Sequence, residues 1–137
     1  SRKNGGKIWP HRTHQNGLSV DFMTPLKKQG KPFYLLDRLG IWHYLLGFNQ
    51  KGKWKTYRKV EIDYEAMAQH ILALDKAARK EGMYIKKVIF KINLQPGLFR
   101  SPTGKLLKKR RIYFVKALSL TIDNLHDDHY HIDFTFR

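Results

Sequence analysis

The chain has 137 residues and no cysteine, and its 27 lysines and arginines face 11 aspartates and glutamates, a formal charge of +16. Its length and its 42% hydrophobic content fit one globular domain with a core of its own, and argue against a disordered chain. Disulfides and thiolate metal sites are excluded, and no apolar run reaches the length of a membrane span. The charge points to a polyanionic partner: nucleic acid, or a cell-wall polymer rich in carboxylates or phosphates.

Residues 1–8 read as a loose basic lead-in containing Gly5-Gly6. The chain starts Ser1-Arg2-Lys3 rather than with methionine, so a processed or trimmed N-terminus is expected. Trp9-Pro10 favours extended backbone and leads into a loop carrying His11 and His14. After the turn signal Asn16-Gly17, Leu18, Val20 and Phe22 alternate with Ser19 and Asp21. That pattern predicts a short strand with Asp21 on its non-core face, and the turn can fold His14 back towards it.

Residues 23–32, with two prolines, a glycine and three lysines, read as a surface loop. Phe33–Leu36 reads as a short strand or helical turn, broken by Asp37–Gly40. Ile41–Phe48 and Trp54–Tyr57 read as a β-hairpin turning near Lys51-Gly52. Its aromatic residues suit a core, or a cleft wall for sugar and peptide faces, and His43 within it reads as packing.

Asp63–Glu81 predicts the principal helix. Asp63 is a good N-cap, Gly82 a good C′ residue, and Arg79 and Lys80 complement the dipole in the last turn. Tyr64, Met67, Ile71, Leu74 and Ala78 recur at helical spacing as the buried stripe, with His70 beside it as a packing or surface residue. Lys86–Ile92 reads as a strand that ends in a turn at Gln95-Pro96-Gly97. Residues 100–111 read as a basic loop at a hairpin tip. Its Lys105, Lys108, Lys109, Arg110 and Arg111 form either a solvated tip or a polyanion-binding arm. Arg111–Ile122 is long, apolar and β-prone, so a central strand is expected there. The whole, residues 1–137, reads as one small α+β domain: an antiparallel sheet, one main helix and long loops around one end.

The last stretch carries the chemistry. Read as a strand, Tyr130, Ile132, Phe134 and Phe136 share a core-like face, while His129, His131 and Asp133 share the other. Two imidazoles at i and i+2 can aim at one metal ion. Five of the seven histidines fall in two short stretches at opposite ends of the sequence, His11/His14 and His126/His129/His131. Without cysteine, zinc here would need nitrogen and oxygen ligands.

The motifs His11-x-x-His14-Gln15-x-Gly17-x-x-x-Asp21 and His126-x-x-His129-x-His131 resemble those of the LAS-type zinc peptidases (the lysostaphin, D-Ala-D-Ala metallopeptidase and hedgehog group). They look most like the penicillin-insensitive murein endopeptidases. The likeness covers roughly residues 9–22 and 124–134 and is negligible between them; the comparison enzymes are larger and carry cysteines.

The resemblance implies one zinc ion per chain, held by His14, Asp21 and His131, with a fourth position open for water. It implies that His129 contacts that water or the developing oxyanion. His126 and His11 match further active-site histidines, either of which could act as general base or hold substrate. Asp128 and Asp133 are candidates to orient imidazoles. The implied activity is zinc-dependent cleavage of peptidoglycan cross-bridges, in a periplasmic, secreted or wall-associated setting. Two other readings stand beside it: a basic nucleic-acid-binding protein, and a zinc-binding hedgehog-like module without hydrolase activity.

Overall fold

The computed structural model describes residues 18–32, 60–119 and 129–137. The lead-in, the 41–57 hairpin with His43, and residues 33–40 lie outside them. So do His11, His14, His126 and Asp128.

The chain is α+β. Among the described residues two three-stranded antiparallel sheets form, where the sequence suggested one. The first comprises β1 (Ser19–Met23), β6 (His129–Phe136) and β5 (Met83–Ile89), in the order β1-β6-β5. The second comprises β2 (Leu26–Lys28), β3 (Lys31–Pro32) and β4 (Val60–Ile62), in the order β3-β2-β4. Residues 23–32 are therefore more than a surface loop. Leu26 pairs with Ile62 and both are buried, so an apolar residue inside a polar stretch anchors the second sheet.

α1 (Tyr64–Lys80) forms as predicted. The Asp63 side chain accepts from the Ala66 amide at 3.0 Å, satisfying one of the free donors of the first turn. Gly82 ends the element at φ +72°, a conformation in which a side chain would be strained. Met67 and Ile71 are fully buried, each contributing roughly 1.5–3 kcal/mol of apolar burial. The stripe is less uniform than its periodicity suggests. Tyr64, Leu74 and Ala78 are only partly buried, and Asp75 is buried among them.

The region after α1 departs most from the sequence reading. β5 ends at Ile89, three residues before the expected end, and a 3-10 turn follows at Ile92–Leu94. Gln95-Pro96-Gly97 then opens α2 (Gln95–Arg100) rather than making a turn. Proline in the first turn of a helix loses no hydrogen bond, because that amide has no helical partner. The expected basic loop is α2 running into α3 (Pro102–Lys109). Ser101 caps α3 by accepting from the Gly104 amide at 3.1 Å, and Pro102 occupies the first turn. Residues 111–119 give no central strand. Phe114 makes only a single parallel bridge to Val88, and the central strand is β6.

The three helices and the first sheet share one core of Met67, Ile71, Ile85, Val88, Phe90, Leu94, Leu98, Leu107, Phe114, Tyr130 and Ile132. β6 is buried on both faces through most of its length. Phe136, expected in the core, is 63% exposed at the sheet's end.

Candidate functional site

The site follows from the register of three strands. Antiparallel pairing sets Asp21 opposite His131, Ser19 opposite Asp133 and Met23 opposite His129. On the other flank β5 sets Lys87 opposite Asp133 and Ile89 opposite His131, after a register shift between Ile85 and Lys87. Directly opposed side chains lie within reach of one another. His131 therefore meets Asp21, and Asp133 meets Ser19 and Lys87, by position alone.

His131 is held between two carboxylates. Its Nδ1 lies 2.8 Å from Asp21 Oδ1 and its Nε2 lies 2.6 Å from Asp133 Oδ1. Carboxylates only accept, so both ring nitrogens donate and the ring is an imidazolium in this arrangement. Burial pulls its pKa down, but the hydrogen bonds to Asp21 and Asp133 and their charges prevail and raise it. Asp133 is fixed in turn: Ser19 Oγ donates to its Oδ1 at 2.5 Å, and Lys87 Nζ lies 3.2 Å from its Oδ2. Burial alone would raise this carboxyl's pKa; the hydrogen bonds from Ser19 and His131, with the charges around it, lower it. His129 and His131 are each 4% exposed and sit two positions apart on one strand.

Among the described residues no group of three metal-ligating side chains comes together. Asp21 and His131, expected as two of the three zinc ligands, do meet; the third, His14, lies outside the described residues. The pair fits a shared ion in donor type, oxygen and imidazole nitrogen. Its 2.8 Å separation is a little under the roughly 3.3 Å that two donors of one tetrahedral zinc would have. Asp133 accepts from the His131 nitrogen that faces away from Asp21, so an ion at Nδ1 would have to displace only the proton now shared with Asp21. The orienting partners of Asp133 itself, Ser19 and Lys87, were not legible as site residues; only the register brings them there.

The other face of β6 carries a separate polar contact. The Tyr130 hydroxyl lies 2.5 Å from His70 Nδ1, and Phe22 packs edge-on to His70 and stacks on Tyr130. Burial lowers the His70 pKa and raises that of Tyr130, so a neutral imidazole accepts from the phenol. His70 is thus a packing residue, as its place beside the stripe suggested.

The five expected polyanion-binding residues do not form an arm. Lys105, Lys108 and Lys109 lie on the exposed face of α3, whose opposite side buries Gly104 and Leu107. Arg110 is instead drawn to Asp75, with Nη2 2.8 Å from Oδ2. Arg111 follows the helix at φ +57° and is exposed.

No family model, no curated protein and no solved structure matches this chain.

Proposed function

We propose that this chain is a zinc-dependent peptidase acting on peptidoglycan cross-bridges. The observation that supports the reading is the pairing of Asp21 with His131. The two are 110 positions apart, they occupy the ligand positions of two separate motifs, and they meet side chain to side chain across β1 and β6. His14, Asp21 and His131 would hold the ion, and zinc so bound would supply hydroxide near neutral pH and polarise the scissile carbonyl.

The remaining residues act around that centre. Asp133, braced by Ser19 and Lys87, keeps the His131 ring in one orientation and holds its Nε2 proton. His129, His126 and His11 are the candidates to carry the water's proton to the leaving amine and to stabilise the oxyanion. The substrate class sets a periplasmic or extracellular workplace. Among the described residues no helix is long and apolar enough to cross a membrane.

The test is metal content of the purified protein by mass spectrometry, before and after dialysis against a chelator. About one zinc per chain, removed by chelator and restored by added zinc, is expected. Digestion of muropeptides with fragment analysis then names the bond. A protein that takes up no zinc overturns the proposal.

A further inference from the structure

A groove of about 500 Å³ opens among α2, α3 and the stretch that carries Lys116. Ile92, Pro96 and Phe99 form its apolar lining, and Arg100, Lys108 and Lys116 supply its charge. The three cations come from three different segments: the end of α2, α3, and the stretch that bridges to Val88.

The groove is built rather than incidental. Gln95 donates through its amide to Phe90 O at 3.0 Å and Val115 O at 2.8 Å, tying α2 to the backbone beside Lys116. Val115 N donates to Val88 O at 3.0 Å, fixing the same stretch to β5. The Phe99 ring is set edge-to-face on buried Phe114, with centroids 4.9 Å apart. Among the described residues no acidic side chain lines the groove, and none of the three cations is paired with a carboxylate. Converging unbalanced charges raise the local concentration of anions.

A ligand matching this lining has an apolar ring face flanked by several anionic groups. A peptidoglycan strand has both, in its sugar rings and its stem-peptide carboxylates. Single-stranded nucleic acid fits less well: successive bases need a series of stacking rings, and here one half-buried ring sits between aliphatic residues. We propose that this groove is a second, non-catalytic holding site for peptidoglycan, with a sugar on Phe99 and stem carboxylates on Arg100, Lys108 and Lys116. The assignment of the polymer rests on the peptidase reading above.

The test is co-sedimentation of the full chain with purified insoluble peptidoglycan in the presence of chelator, so that binding is read without turnover. The double charge reversal Lys108→Glu with Lys116→Glu is compared with a control reversal, Lys76→Glu with Lys80→Glu, on the exposed face of α1. Losing two charge-assisted contacts should lower retention by about tenfold or more for the groove pair, with little change for the control. Peptidoglycan whose carboxylates have been amidated should retain wild-type protein as poorly. Equal effects of the two reversals, or full retention on amidated polymer, would overturn the proposal. So would a chain that ignores peptidoglycan and holds a single-stranded oligonucleotide through Lys108 and Lys116. Metal content and muropeptide cleavage are read separately. Sedimentation through the groove without any cleavage would support the holding site and refute the hydrolase.

Discussion

Asp75 and Arg110 are joined across 35 positions, with Arg110 Nε donating to Asp75 Oδ2 at 2.8 Å. Arg79, one turn along α1, donates from its own Nε to both carboxylate oxygens at 3.1 Å. The carboxylate is 1% exposed, whereas both guanidinium groups reach solvent. It therefore ties the C-terminal end of α3 to α1 and faces two positive charges with one negative. Asp75→Asn should cost about 1.5–3 kcal/mol in urea unfolding, because it takes the charge out of the hydrogen bonds that Arg79 and Arg110 make to a buried group. Arg110→Gln should cost less, since Arg79 remains. An Asp75→Asn variant within about 0.5 kcal/mol of wild type would place the pair among ordinary surface contacts.

Zinc stoichiometry separates the β6 histidines. His131→Ala and Asp21→Ala are expected to abolish bound zinc, as is His14→Ala. His129→Ala should keep about one zinc per chain and lose cleavage activity. Full zinc content in Asp21→Ala would remove the carboxylate from the ligand set.

Asp133 gives a graded effect. Asp133→Asn keeps the shape but weakens the hold on His131 Nε2, which lies 2.6 Å away. Zinc affinity should fall about 10- to 100-fold while saturating zinc still fills the site. Competition with a chromogenic chelator measures it; unchanged affinity would mean that the contact does not orient the ligand.

His70 predicts a pH dependence of stability. Its folded-state pKa lies below the ordinary 6.5 because burial disfavours the charged ring. As pH falls, the unfolded chain takes up this proton first, so the unfolded state binds more protons and stability falls. The contribution is complete above about 6.5 and is lost as pH drops below that value towards the folded pKa. Wild-type stability minus that of His70→Gln, followed by urea denaturation from neutral to acid pH, should decline over this window. A flat difference would show that burial does not perturb the ring.

The sequence was most informative where one residue type has one local use. Asp63 and Gly82 marked the ends of α1 because capping and left-handed backbone are local properties. The alternation in 18–22 and 129–134 located the strands of the candidate site for the same reason. Residues 95–109 misled because Pro96, Gly97, Pro102 and Gly104 are turn residues by composition. Ser101-Pro102 is nevertheless a cap followed by a helix start, and Gly104 is where α3 presses against Leu98 O. Asp75 fell on the apolar stripe, and nothing local shows that Arg110 would meet it there. Lys87 and Ser19 reached Asp133 only through strand register, which depends on pairing between distant segments.

β6 is the middle strand of its sheet, yet it comes later in the chain than both strands it joins. Until residues 129–136 are available, β1 and β5 have no common neighbour, and Asp21 has no His131 to meet. Contacts between segments so far apart in sequence generally form slowly. On the peptidase reading, a chain that has not yet formed β6 lacks His131, one of the three proposed zinc ligands. A wall-cutting enzyme built this way would be armed only once its domain is complete.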